Sequence, residues 1–353
     1  MSIVSLARPE IQALHAYEAA EQVDDTIRLN ANESPAISSV GNFRRPLNRY
    51  PEVRPQHLQS SLANRFGCAA DQLLVTRGSS EAIDLLIRTF CRAGADKILT
   101  PKPSFSMYRH YAEIQGAGIT EVATLAEHDF KIEVAALLAN CDDSTKLIFV
   151  CSPNNPTGTP LPRADLLTLL QARRGQSAIV VDEAYIEFGD QSSAIELLDK
   201  YPNLLILRTL SKALGFAGAR CGSVVGARDV IALLSAVQAP YALATPVVEC
   251  VEDALDQKQL EIAAAAVEQV ISERERVMTE IERFDFISKV WPSEANFFLI
   301  RANDALAIME HCKKHHILLR HFSGDLEDCI RITVGSRADN EALLCALHSF
   351  GKD

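Results

Sequence analysis

The sequence predicts an α/β fold in which a mostly parallel central sheet has helices on both faces. Three observations predict it. Short apolar runs alternate with segments of helical period through the first two thirds of the chain, and such alternation requires crossover connections between parallel strands. The 353 residues exceed one ordinary hydrophobic core. The last third changes character, so we expect a second, smaller α+β domain at the carboxyl end.

Six apolar runs are typical of buried strands, and four segments between them have the apolar spacing of helices. The strands are predicted at Gln72–Thr76, Lys97–Thr100, Lys146–Cys151, Ala178–Val181, Leu204–Leu207 and Gly222–Val225. The helices are predicted at Glu81–Cys91, Ser104–Gln115, Arg163–Ala172 and Ile195–Tyr201. Because ligands of parallel sheets bind at the carboxyl ends of the strands, polar residues that follow these strands are the first candidates for a site.

The last third opens with a long helical stretch, Leu260–Phe284, whose charges are spaced for an exposed face. The strand-like runs ANFFLIR and CIRITVGS follow it. We therefore predict three parts of the chain: an N-terminal arm or helix at residues 1–25, a large domain at residues 26–245 and a small domain at residues 246–353.

Composition and charge exclude several classes of function. The chain is 48% hydrophobic and 23% charged, as globular proteins are. Its net charge of −11 argues against a broad surface for nucleic acid or anionic membrane, but not against a local pocket for a small anion. There is no pattern of a secretory signal and no apolar run long enough to span a bilayer, and the nine cysteines are scattered without a Cys-x-x-Cys pair. We expect a cytoplasmic protein with reduced thiols and no metal.

One cluster has spacing that resembles a metal site. His311 and His315 lie one helical turn apart with Cys312 between them. No carboxylate or second cysteine is close in sequence, and the cluster lies at the polar end of a helical segment. The pattern favours a solvated helix end over zinc.

Two of the strand ends carry loops suited to binding. After the first strand, Gly78, Ser79 and Ser80 open a helix, and the unpaired N–H groups of a helix start suit a phosphate. An ordinary helix cap has the same pattern. The loop SPNNPTG follows the third strand, where two prolines and a glycine hold Asn154 and Asn155 in fixed directions.

Two further strand ends carry charges that are costly to bury. Asp182 ends the buried run AIVVD, with Tyr185 three residues later. Ser211 and Lys212 follow the next strand, and Arg220 lies eight residues beyond Lys212 among small and apolar residues. A buried acid needs a cation or a protonated nitrogen, and a buried lysine needs a partner or a chemical role. Together the four strand ends predict a catalytic site.

The motifs SPNNPTG, DEAY, TLSKA and ARCG resemble those of the pyridoxal-phosphate aminotransferases of fold type I. The flanking pieces LNANESP, RYP, GSSEAI and RITVGS look like the histidinol-phosphate aminotransferase family. The resemblance extends from about Tyr17 to the C-terminal helix. It implies a homodimer with shared active sites that transfers an amino group between L-histidinol phosphate and 2-oxoglutarate.

The resemblance implies a role for each candidate toward pyridoxal 5'-phosphate. Lys212 is covalently attached to the cofactor aldehyde and later moves protons, and Asp182 holds the pyridine nitrogen in its protonated form. Asn155 and Tyr185 bond the phenolic oxygen, and Tyr108 stacks on the ring. The cofactor-binding set implied around the phosphate comprises Ser79, Ser80, Glu81, Ser211, Arg220 and Tyr50 of the neighbouring subunit.

The substrate pocket is predicted around two arginines. Alternation in IRITV places Arg331 opposite the apolar side chains of that strand, and an inward arginine suits a bidentate oxyanion. Arg320, Tyr17 and Asn32 match substrate-side positions of the family, although a surface ion pair explains Arg320 equally well. Alternative functions are an aromatic amino acid aminotransferase, a related phosphate-directed decarboxylase and, from another class, a non-catalytic cofactor-binding regulator.

Overall fold

The computed structural model describes residues 2–16 and 43–351. Tyr17 and Asn32 lie outside the described residues, as does the remainder of the predicted N-terminal arm. The described N-terminal part forms a 3₁₀ helix, Ile3–Leu6, and a single turn of α-helix, α1 (Pro9–Gln12). Ile3 is fully buried in the main core, so this part is packed against the larger domain.

The larger sheet has seven strands in the order β1-β7-β6-β5-β4-β2-β3. In chain order they are β1 (Leu73–Thr76), β2 (Lys97–Lys102), β3 (Gly118–Ala123), β4 (Thr145–Cys151), β5 (Ala178–Asp182), β6 (Leu204–Thr209) and β7 (Gly222–Val225). The β7 strand runs antiparallel to its neighbours β1 and β6, and every other pair is parallel. The prediction of a mostly parallel sheet is therefore confirmed.

The two faces of this sheet are both buried, because alternate residues of its central strands enter different cores. In β4, Leu147 and Phe149 pack in one hydrophobic cluster, whereas Ile148 and Val150 pack in the other. Helices cover both faces, as the continuous apolar runs predict. They are α2 (Gln56–Phe66), α3 (Gly78–Phe90), α4 (Met107–Gln115), α5 (Val134–Ala139), α6 (Arg163–Ala172), α7 (Arg228–Val237) and α8 (Thr245–Ala254).

A smaller antiparallel sheet forms the second core. It has the strand order β10-β11-β9-β8, and its chain-order bounds are β8 (Ile287–Val290), β9 (Phe297–Ala302), β10 (Arg320–His321) and β11 (Cys329–Thr333). Three helices accompany it: α9 (Gln257–Ile281), α10 (Ala305–Lys314) and α11 (Arg337–Ser349). This small α+β unit agrees with the fold that the sequence predicts.

The hydrophobic contacts divide the chain inside α9. Val248 and Val251 of α8 belong to the core of the larger sheet, beyond the boundary expected at residue 245. Val267 in the first half of α9 packs on the larger core, whereas Val277 and Ile281 near its end are buried in the smaller one. We therefore propose α9 as the connection between the two domains.

The predicted elements differ from the structure mainly at the edges. The sequence analysis missed β3, an edge strand whose residues are mostly partly exposed, so that it has no continuous apolar run. The helix predicted at Ile195–Tyr201 is a 3₁₀ helix, Ala194–Leu197, that begins at the capping side chain of Ser193. None of the helices in the described part of the chain is both long and apolar enough to cross a membrane.

Candidate active site

A cavity of about 1220 Å³ lies at the carboxyl ends of the central strands, between the larger sheet and the loops around β10. Its walls bring together ten of the residues that the sequence predicts: Ser79, Ser80, Asn155, Asp182, Tyr185, Ser211, Lys212, Arg220, Arg320 and Arg331. Strand ends at one edge of the larger sheet bring together residues from Ser79 to Arg220, and the smaller sheet adds Arg320 and Arg331.

Asp182 is the last residue of β5, and its carboxylate is almost fully buried, with 2% of its surface exposed. The Ala184 N–H donates to Oδ1 at 3.1 Å, and the Tyr108 hydroxyl donates to Oδ2 at 2.8 Å. Burial raises the pKa of Asp182 to about 6, although both hydrogen bonds and the charge of Lys212 oppose the rise. The carboxylate lies on the cavity wall, so a protonated nitrogen placed there would compensate its charge.

The next residue, Glu183, fixes the end of β5 from the opposite face. Its carboxylate accepts hydrogen bonds from Ser193 Oγ and from the Ala194 N–H, each at 2.6 Å. The guanidinium of Arg208 on β6 donates to the same group at 3.4 Å. Both oxygens of the buried Glu183 carboxylate thus accept hydrogen bonds. These bonds hold the strand end that presents Asp182 in place.

Lys212 lies three residues past the end of β6. Its amine is open to the cavity, yet the surrounding protein displaces enough water that burial lowers the pKa of Lys212. The positive charges of Arg331 and Arg220 lower it further. The amine lies 5.4 Å from the centre of the Tyr185 ring. A larger neutral fraction makes the amine a better nucleophile.

An anion cradle forms where α3 begins. Gly78 has φ +75°, and a Cβ there would lie only 2.7 Å from the Arg220 guanidinium, so glycine is required. Arg220 donates to Ser211 Oγ at 3.4 Å and to the Ala217 carbonyl at 3.2 Å. No carboxylate lies within 4 Å of Arg220 in the described residues. With the free N–H groups of the helix start, this geometry suits a phosphate.

Asn155 connects the two domains across the cavity. Its Oδ1 accepts a hydrogen bond from Arg331 at 2.6 Å, and its Nδ2 donates to the Tyr185 hydroxyl at 3.4 Å. The Nε of Arg331 is buried and has no hydrogen-bond partner among the described residues. Burial lowers the pKa of Arg331, and the charge of Arg320 adds to this effect. A buried guanidinium with an unpaired donor indicates a site for an anion.

Two residues predicted to contact the cofactor do not line the cavity. Tyr108 is fully buried in α4, and its ring stacks on Phe149 at 4.7 Å instead of covering the cavity. The inward face of α4 packs on the sheet, so Tyr108 reaches the site only through its hydrogen bond to Asp182. Glu81 does not line the cavity either, because its carboxylate accepts hydrogen bonds from Arg77 and Gln238.

Tyr50 and the histidine cluster lie away from the cavity. Tyr50 is half-exposed, and its ring stacks on Tyr241 at 4.7 Å. His311 contacts the Ala346 carbonyl and the Ser349 hydroxyl. In the described ranges, no three potential metal ligands come together.

Several wall residues escaped the sequence analysis. Those near β2 are Lys102, Ser104 and Phe105, those in α4 and β3 are Arg109 and Glu121, and those in and after β10 are His321, Phe322, Ser323 and Asp325. Lys102 and Asp325 form an ion pair of 2.8 Å between the end of β2 and the segment that follows β10. In the sequence, they differ from other residues only by their position near Arg320 or near the end of a strand.

The class of protein follows from comparison with known families. Residues 22–347 match the family described as aminotransferase class I and II. Since the match covers most of the chain, the protein belongs to the class I and II aminotransferases.

Individual relatives within this family share one description. The chain is 39% identical over 351 residues to histidinol-phosphate aminotransferase 1 of Haemophilus influenzae strain 86-028NP, covering 98% of this chain and 99% of the relative. It is also 39% identical to histidinol-phosphate aminotransferase of Aeromonas salmonicida strain A449, covering 98% of both chains. The chain is therefore similar to histidinol-phosphate aminotransferases over its whole length.

Solved structures agree with the fold. The histidinol-phosphate aminotransferase of Clostridium acetobutylicum superposes with a TM-score of 0.77 at 25% identity, covering 85% of this chain and 90% of that one. The enzyme of Sinorhizobium meliloti in complex with pyridoxal-5'-phosphate has a TM-score of 0.77 at 22% identity, covering 86% and 84%.

The raised pKa of Asp182 predicts that the free energy of unfolding of the cofactor-free protein depends on pH. Between about pH 4 and pH 6 the folded protein holds a proton that the unfolded chain has lost, so stability falls as pH rises through this window. Asp182→Asn should therefore melt several degrees above the cofactor-free wild type at pH 7.5. The two should converge at pH 4. Thermal unfolding followed by circular dichroism measures both.

Asp96→Asn is the matched control. Burial acts to raise the pKa of Asp96, but hydrogen bonds and charge from Arg92 outweigh it and the pKa is lowered. This substitution should destabilise the protein at pH 7.5. Equal losses of stability in both variants would contradict the assignment of Asp182.

Proposed function

We propose that the protein converts L-histidinol phosphate and 2-oxoglutarate reversibly into imidazole-acetol phosphate and L-glutamate, as a step of histidine biosynthesis. One observation carries the choice of substrate. Arg320 and Arg331 line the same cavity as Lys212, and neither has a carboxylate within 4 Å among the described residues. Both amino donors and the amino acceptor carry an anionic group that two such arginines would bind.

The residues of the cavity fit pyridoxal phosphate. The helix start at Gly78–Ser80 together with Ser211 and Arg220 offers donors to a phosphate. Asp182 offers a buried carboxylate to the ring nitrogen, and Asn155 and Tyr185 offer donors to the phenolic oxygen. These groups line one cavity with Lys212. The phosphate, the ring nitrogen and the phenolic oxygen of the cofactor require this arrangement.

When bound, the cofactor supplies an aldehyde that accepts the amino group and a ring that withdraws electrons from the reacting carbon. Asp182 keeps a proton on the pyridine nitrogen, because its buried charge is compensated only while that nitrogen is cationic. Tyr108 and the Ala184 N–H hold the carboxylate in a fixed orientation for this contact.

Lys212 moves the proton of the reaction. Its lowered pKa raises the neutral fraction of Nζ, which takes the proton from the amine-bearing carbon of the substrate. Its position beyond β6 leaves the amine free to swing within the cavity. The nearby charges of Arg220 and Arg331 disfavour the ammonium form of Lys212, so Nζ returns the proton readily.

Asn155 relates substrate binding to the catalytic groups. Arg331 already donates a hydrogen bond to Oδ1 of Asn155. An anion that attracts Arg331 therefore also pulls on the Asn155 side chain, which faces the phenolic oxygen of the cofactor. Apart from the bond to Asn155, the N–H groups of Arg331 have no hydrogen-bond partner among the described residues, so the guanidinium has donors left for the substrate. Both half-reactions use this guanidinium, since each brings an oxyanion to the same wall.

The proposal predicts a strong requirement for the substrate phosphate. Histidinol phosphate should exceed histidinol by at least about 1000-fold in kcat/KM, because the partly buried Arg331 and its neighbour Arg320 both lack an anionic partner without the phosphate. Arg331→Ala should lower kcat/KM by roughly 100-fold for both histidinol phosphate and glutamate. Coupled assays of each half-reaction with the purified holoenzyme measure these values.

Arg109→Ala provides the control for charge loss on the same wall. Arg109 is already paired with Glu113 and Glu121, so its removal should change kcat/KM by less than about threefold. Efficient turnover of aromatic amino acids alone would replace the proposed substrate. Release of CO₂ from O-phospho-L-threonine would favour the decarboxylase, and cofactor binding without turnover would favour the regulator.

We propose a homodimer whose active sites use Tyr50 from the partner, and a cytoplasmic location. The position of Tyr50 outside the cavity lining of its own chain supports the first, together with the family resemblance that assigns it to the partner's site. Nine free cysteines support the second, because reduced thiols are typical of that compartment.

Mixing two inactive variants tests the shared site. In a mixed dimer of Lys212→Ala and Tyr50→Ala chains, one site takes its lysine and its tyrosine from different chains and is intact. Activity should therefore rise above the sum of the two parents after subunit exchange. The control replaces the Lys212→Ala chain by a chain with both substitutions, which rebuilds no site. Exchange, confirmed with differently tagged chains, without any gain would place Tyr50 in its own site or in neither.

A further inference from the structure

We propose that Phe322 is a specificity-determining residue that holds Arg320 and Arg331 side by side, so that both guanidinium groups face a single anion. The inference rests on the proposed function, because the anion is the phosphate or carboxylate of the substrate. Phe322 lines the same cavity as the two arginines, and it carries no hydrogen-bonding group of its own.

The strand register brings the three side chains together. Arg320 in β10 lies directly opposite Arg331 in β11. Phe322 directly follows His321, the last residue of β10. The Phe322 ring centre lies 5.7 Å from Cζ of Arg320 and 6.0 Å from Cζ of Arg331. The ring is thus within cation–π distance of both charges.

Two like charges in direct cross-strand register repel each other. Proteins usually compensate such a pair with an acid, but no carboxylate lies within 4 Å of either arginine among the described residues. The face of an aromatic ring carries partial negative charge and attracts each guanidinium without neutralising it. Phe322 therefore lets the arginines remain adjacent while both keep their full charge for an incoming anion.

The ring is itself well anchored. Phe322 packs against a buried cluster formed by Phe130, Trp291, Leu299, Leu326 and Cys329. Arg331 is further confined by Phe297, whose ring centre lies 5.1 Å from Cζ. The two guanidinium groups are consequently oriented before the anion arrives. Less conformational entropy is lost on binding, which favours affinity without favouring the transition state over the bound substrate.

The experiment compares variants at position 322 in the holoenzyme. Phe322→Met fills similar space without an aromatic face, Phe322→Leu is a second non-aromatic variant, and Phe322→Tyr keeps the ring. The probe is inorganic phosphate, whose dissociation constant is measured by isothermal titration calorimetry. Bound cofactor occupies its own phosphate cradle, so the added phosphate reports on the arginines.

We expect the dissociation constant of phosphate to rise about tenfold in the Met and Leu variants and to stay within about twofold in the Tyr variant. The KM for histidinol phosphate should rise by a similar factor while kcat changes less than about twofold, since the lost interaction is made equally in the bound state and the transition state.

Phe286→Leu is the matched control, because Phe286 stacks on Phe284 in the core of the smaller domain, outside the cluster that anchors Phe322. It should lower the thermal midpoint and leave phosphate affinity unchanged. Unchanged phosphate affinity in both non-aromatic variants, or an equal loss in Phe286→Leu, would overturn the role of Phe322. Phosphate binding needs no turnover, so a failure of the proposed substrate leaves this result readable.

Discussion

The active site depends on one buried charge, the carboxylate of Asp182 at the end of β5. An acid with 2% of its surface exposed is retained there only because donors on both oxygens fix it and a cationic nitrogen can lie before it. The Glu183 network on the opposite face of the sheet holds the same strand end in place. The remaining groups of the cavity are arranged around this charge.

In the proposed function, the second domain supplies the part of the site that recognises the substrate. Arg320 and Arg331 come from the smaller sheet, whereas Lys212 and Asp182 come from the larger one. The hydrogen bond from Arg331 to Asn155 joins the two sets directly. Binding of an anion and positioning of the reacting groups are therefore physically connected, which is how a transferase uses remote binding energy at the reacting carbon.

The sequence predicts those parts of the molecule that depend on continuous burial or on charges without an evident partner. The central strands were predicted from their continuous apolar runs, and the strand-end residues Asp182 and Lys212 because burying such charges is costly. Arg331 was predicted because alternation places it opposite the apolar side chains of its strand. Edge strands such as β3 lack an apolar run, and wall residues such as Phe322 carry no charge pattern, so neither was predicted. The positions of Tyr108 and Glu81 depend on helix packing and on neighbours distant in the chain, which a local motif does not specify.

The state of the cofactor nitrogen tests the central claim most directly. Nitrogen-15 NMR of the holoenzyme, reconstituted with cofactor labelled at the pyridine nitrogen, distinguishes the protonated from the neutral ring. The account predicts a protonated nitrogen from pH 6 to pH 9 in the wild type, because the Asp182 carboxylate stabilises the cation. It predicts a neutral nitrogen over the same range in Asp182→Asn. Identical titration of the nitrogen in both proteins would contradict the account.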